Sequence, residues 1–92
     1  MVTIKVSRTA EKQLRNVPEY ISIKFDYWCD LINTIGLREA RKYKGFHDEP
    51  LKGSRFGQRS VRLSRSYRAI YREIDSGEME LIEILEVNKH DY

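Results

Sequence analysis

The sequence predicts an α+β fold: an N-terminal strand, a two-helix hairpin, then a meandering antiparallel sheet. Three observations carry this reading. Val2, Ile4 and Val6 alternate with Thr3, Lys5 and Ser7, the period of a half-buried strand. Ile21, Phe25, Trp28, Ile32 and Ile35 recur at steps of four, three, four and three, the seam of an amphipathic helix. From Gly57 to Ser64 the period returns to two, with Val61 and Leu63 on one face and Ser60, Arg62 and Ser64 on the other. A chain of 92 residues that is 40% apolar can bury one compact core and not two, so residues 1–92 are read as a single domain.

Taken in order, the first strand ends at a helix cap supplied by Ser7 or Thr9. Ala10, Leu14 and Val17 share one face of the short helix that follows, and Pro18 then suits the first turn of the next. Gly36 can terminate that main helix, whose apolar stripe is widened by Tyr20, Tyr27 and Leu31. The two helices form an antiparallel pair able to cover one face of a sheet. Leu37 to Tyr43 can form one more short helix, and Gly45, His47, Asp48 and Pro50 describe an irregular connection. Ser64, Arg65 and Ser66 make a tight turn between strands Gly57–Ser64 and Tyr67–Ile74, and Asp75, Ser76 and Gly77 mark the next hairpin. Met79 to Val87 is apolar on both faces, as a strand covered on both sides would be.

Composition excludes several classes. Cys29 is the only cysteine and stands among apolar residues, so no disulfide framework supports the fold and a reducing cytoplasm is expected. The amino terminus lacks the apolar run of a signal peptide, and no stretch approaches the roughly 20 apolar residues of a membrane span. Two histidines, one cysteine and no CxxC or HExxH spacing make no metal pattern, and there is no glycine-rich phosphate loop. No cofactor is expected.

Charge is what the sequence concentrates. Between Leu51 and Arg72 stand Lys52, Arg55, Arg59, Arg62, Arg65, Arg68 and Arg72, without one acid. The whole chain is only +3, so the other 70 residues carry −4 net. Such a block suits a phosphate backbone, and arginine in particular grips phosphate with a planar fork and stacks on bases. The plainer alternative is a solvated charged strand face. Arg62, Arg68 and Arg72 fall on neighbouring strands of one hairpin with Arg65 at its turn, so at least two should reach one phosphate-sized site. Grip alone does not separate a nuclease from a passive binder. Proton-transfer groups are also needed, and the terminal His90 and Tyr92, at i and i+2, are the candidates. His47, beside Asp48 and Glu49, is better suited to a hydrogen-bonded turn, and Cys29, one residue after Trp28, to packing. Tyr67 and Tyr71 are spaced to share a strand face, where they can stack on bases or enter the core.

Pro50-Leu51-Lys52-Gly53 with Arg55 and Gly57, the run SVRLSRSYRAIY and the terminal NKHDY together resemble the RelE/ParE superfamily of bacterial toxins, most closely its HigB-type mRNA interferase branch. The resemblance covers nearly the whole chain. It implies a type II toxin that cleaves mRNA in the ribosomal decoding site, uses no metal and is silenced by a cognate antitoxin protein. It further implies that Arg68 in YRAIY clamps the scissile phosphate with Arg62, that His90 is the acid or base with Tyr92 as its partner or a base-stacking group, and that Lys52, Arg55, Arg59 and Arg65 bind RNA. Two departures stand out. Glu49 occupies the place of a histidine before PLKG, and the ending is His-Asp-Tyr rather than Asp-Tyr-His. A ParE-like inhibitor of DNA gyrase would share the fold yet need no proton-transfer groups, so the HDY tail favours the endoribonuclease.

Overall fold

The computed structural model describes residues 2–75 and 80–89. The fold is α+β: strand β1 (Val2–Val6), helices α1 (Arg8–Leu14), α2 (Glu19–Ile35) and α3 (Leu37–Ala40), then strands β2 (Glu49–Pro50), β3 (Arg59–Arg62), β4 (Tyr67–Asp75) and β5 (Glu80–Lys89). The five strands make one sheet in the order β1-β5-β4-β3-β2. The expected meander is β3-β4-β5, with antiparallel pairs throughout. Two features extend it. The first strand joins the same sheet parallel to β5, Ile4 opposite Ile82, and the two-residue β2 adds an edge through Glu49 opposite Ser60. His90, Tyr92 and the hairpin residues Ser76 and Gly77 lie outside the described residues.

Local chemistry explains the elements. Ser7 is the cap of α1: its hydroxyl oxygen accepts from the Ala10 N–H at 3.0 Å and its O–H donates to the Leu85 carbonyl at 2.8 Å. Leu85 is the extra residue of a β-bulge, because the β4–β5 register passes from Ile70 opposite Glu86 to Tyr71 opposite Ile84. Beyond the end of β1 the open edge of β5 is thus closed by α1, with Gln13 Oε1 accepting from the Val87 N–H at 2.7 Å. Gly36 ends α2 at a φ of 85°, a conformation open to glycine.

The core lies between the helices and one face of the sheet. Ile21, Phe25, Trp28 and Ile32 are buried as the seam requires, meeting Val61, Ala69, Tyr71, Ile82, Ile84 and Val87. Trp28 and Tyr71 pack ring against ring, with centroids 5.2 Å apart. Tyr67 packs at the margin of this core, so both tyrosines of β4 lie on the helix side, Tyr71 fully buried and Tyr67 partly so. The apolar stripe of α2 is narrower than the sequence suggests, for Tyr20 and Tyr27 stand at its flank and stay more than half exposed. Ile70 is the exception to the two-layer plan. It is fully buried yet belongs to the face turned away from the helices.

Candidate nucleic-acid interface

Cross-strand partners share a face of a sheet. Val61, Ala69 and Val87 are such partners and face the core, so the alternate residues form rows on the opposite side. One row is Glu49, Ser60, Ile70 and Glu86, and the next is Arg62, Arg68 and Asn88. Arg72 pairs with Glu83 farther along the same face. Directly opposed residues have Cβ atoms about 5 Å apart, so Arg62 and Arg68 place two like charges within reach of one phosphate. Neither has an acidic partner among the described residues. The Nε of Arg68 is buried without a hydrogen bond, as is the Oδ1 of the neighbouring Asn88. A buried guanidinium N–H left unpaired is costly, and an oxyanion accepting from it removes that cost.

The other cations of the block separate by partner. Arg72 is neutralised by Glu83 at 2.8 Å. Arg55 binds Glu86 and donates to Gln58 Oε1 at 2.9 Å. Lys52 and Arg65 are exposed, Arg65 at the tip of a turn closed by Leu63 and Ser64 N–H groups on the Tyr67 carbonyl and by the Ser64 hydroxyl. The Arg55 bond also fixes the loop. Residues 51–58 form the tip of the β2–β3 hairpin, and Arg55 ties this tip to Glu86 on β5, two strands away from β3. Asn88 Nδ2 donates to the second oxygen of Glu86 at 3.3 Å, tying that anchor to the Arg68 row.

Solved structures of the same shape are bacterial toxins. A YoeB/ParE toxin from Agrobacterium tumefaciens superposes with a TM-score of 0.70 at 22% identity, over 97% of this chain and 99% of that one. The YoeB–YefM complex from Staphylococcus aureus gives 0.71 at 21% identity, over 100% and 99%. The toxin–antitoxin complex RelBE2 from Mycobacterium tuberculosis gives 0.58 at 25%, over 96% of each chain. The chain has the RelE/ParE fold. No protein-family model matches the sequence, and no curated protein does.

On this RelE/ParE scaffold Arg59 does not join the other cations. It has the same parity as Val61, so it turns to the helix side, where its Nε donates to Asp48 Oδ1 at 2.6 Å. The Asp48 side chain is 1% exposed. Its other oxygen accepts from the Tyr71 hydroxyl at 2.5 Å, and Arg41 donates to that hydroxyl at 3.4 Å and pairs with Glu73. Burial, then the bond to Asp48, pushes the Tyr71 phenol above its ordinary range. His47 adopts the left-handed conformation at a φ of 46°, and its exposed ring lies 3.6 Å from Glu49 at the sheet edge. Cys29 is half-buried, and burial with the charges of Asp26 and Asp30 pushes its thiol up to about 12, the wrong direction for a nucleophile. The residues missed in the sequence are Asp48, Glu83 and Glu86, the acids that decide which cations stay free. Glu83 and Glu86 carried only their odd spacing in an apolar strand as a signal.

Proposed function

We propose that the chain is the toxin of a type II toxin–antitoxin system and a metal-independent endoribonuclease that cuts mRNA on the ribosome. One observation carries the reading: of the seven cations, the two directly opposed on the sheet face away from the helices, where β3 ends and β4 begins, Arg62 and Arg68, lack an acidic partner among the described residues, and Arg68 has an unsatisfied buried N–H. The fold supports it, since the YoeB–YefM and RelBE2 structures are toxin–antitoxin complexes. The PLKG segment at Pro50 to Gly53 supports a HigB-type place within the superfamily. The implied partners are a cognate antitoxin, mRNA and the ribosome.

Arg68 and Arg62 hold the non-bridging oxygens and stabilise charge as it develops on phosphorus. The 2′-oxygen attacks, its proton passes to a base, and the 5′-oxygen leaves with a proton from an acid, giving a cyclic phosphate and a 5′-hydroxyl. His90 serves as acid or base and Tyr92 as its partner; Glu49, on the same face as Ser60, is a further carboxylate able to take a proton. Lys52 and Arg65 guide the flanking strand. Arg55 and Arg59 act indirectly, through the loop and the network they hold. Primer extension on translated mRNA tests the assignment. Cuts made by the wild type should fall roughly a hundred- to a thousandfold in Arg68→Ala and strongly in His90→Ala. Unchanged cutting in both variants sinks the residue roles, and gyrase inhibition with intact mRNA sinks the nuclease.

A further inference from the structure

Phe56 is 87% exposed, the most exposed large apolar side chain in the described residues. Leaving a phenylalanine in water forgoes a large burial gain, and nothing in the fold calls for it at this position. Its backbone is nevertheless well defined. The Arg55 N–H donates to the Lys52 carbonyl, the Phe56 N–H to Gly53 and the Gln58 N–H to Arg55, while the Leu51 N–H donates to Gln58 across the hairpin. Gly53 and Gly57, at φ values of 66° and 93°, supply the two left-handed turns that bracket the ring. The next side chain back, Arg55, clamps the loop to Glu86, and Glu86 is bonded to Asn88, the cross-strand neighbour of Arg68. An exposed aromatic is therefore held on a hydrogen-bonded loop that is anchored at Glu86, one row from Arg68, with Lys52 on the same loop.

We infer that Phe56 is a stacking platform for a nucleobase of single-stranded RNA, next to the phosphate held by Arg62 and Arg68. The inference rests on the proposed RNA reading and deepens it. Stacking suits the observations better than base-edge readout, because phenylalanine has a flat apolar face and no hydrogen-bonding group, and every base offers a matching face. Preorganisation matters too, since little loop entropy is then lost on binding. The arginines would hold the strand by its charge, and Phe56 would fix which nucleotide lies in register with them.

The test is binding of a short RNA with a 2′-O-methyl group at every position, which cannot be cut, followed by fluorescence anisotropy. Wild type, Phe56→Ala, Phe56→Trp and Arg68→Ala are compared, each with its thermal midpoint. Phe56→Ala should bind roughly ten- to a hundredfold more weakly at an unchanged midpoint. Phe56→Trp should restore affinity, and its added emission should be quenched on binding. If Arg68→Ala weakens binding while Phe56→Ala does not, stacking is wrong and the RNA reading stands. If the wild type binds no RNA, the stacking proposal falls, and primer extension on translated mRNA still decides the nuclease. A Phe56→Ala variant that keeps RNA affinity and loses only its antitoxin assigns the ring to protein contact and also overturns the proposal.

Discussion

Asp48 shows how one residue organises its surroundings. It is a buried carboxylate that accepts from both Arg59 and Tyr71, so removing it leaves the Arg59 guanidinium without its acid and the Tyr71 hydroxyl without an acceptor for its proton. Breaking a buried pair from one side costs about 3–5 kcal/mol. Asp48→Ala should lower the urea midpoint accordingly, with Asp48→Asn losing less because the amide oxygen still accepts. Cys29 makes a second prediction at this scale. Its pKa rises from the ordinary 9.0 to about 12 on folding, so the folded state holds the proton more tightly than the unfolded chain. The stability linked to it is complete below pH 9 and is lost as pH rises toward 12. Denaturation at a series of alkaline pH values should show a shallower decline for Cys29→Ala than for the wild type. Residue by residue, part of this was legible beforehand: Arg59 shares its parity with Val61, so a core-facing Val61 already turns Arg59 to the helix side, away from Arg62 and Arg68. The partner that receives it, Asp48, could not be foreseen, because it lies in an irregular connection without a period.

At the scale of elements, periodicity proved a reliable guide wherever one face of a segment is buried. The seam of α2 follows from that alone, and in β3 Val61 and Arg62 take the expected opposite faces, although Ser60, expected on the wet face, is buried. The bulge in β5 did not announce itself. It lets Ile84 and Val87 both face the core although they are three apart, which is why the sequence there reads as apolar on both sides. Ser7 holds both the cap of α1 and the bulge carbonyl, so Ser7→Ala should cost about 1–2 kcal/mol in chemical denaturation. The hairpin tip offers a sharper test. Arg55→Ala removes its clamp to Glu86, and amide exchange at Leu51 and Gln58 should accelerate roughly three- to tenfold while the α2 amides stay protected. Unaltered exchange in the tip would mean that its backbone bonds alone hold it.

For the whole molecule the governing quantity is how much of the cationic block remains available. Among the described residues, three of the seven cations are paired with acids from elsewhere in the chain and Lys52, Arg62, Arg65 and Arg68 are not. If four phosphates are neutralised, the affinity for single-stranded RNA should fall with salt at a log–log slope of about −3, and Arg62→Ala should reduce that slope by about 0.7. Anisotropy across a potassium chloride series measures both, and an unchanged slope removes Arg62 from the interface.

The sequence by itself determined the α+β class, the helical seam, the strand faces and the concentration of positive charge, because each follows from spacing along a continuous segment. Only the tertiary structure decided which charges are free to act. That choice depends on Asp48, Glu83 and Glu86, which come from a loop and a strand outside the block: Glu83 meets Arg72 through sheet register, while Asp48 and Glu86 meet Arg59 and Arg55 where loops pack against the sheet. Register and loop packing join residues distant in sequence, and no local pattern encodes them.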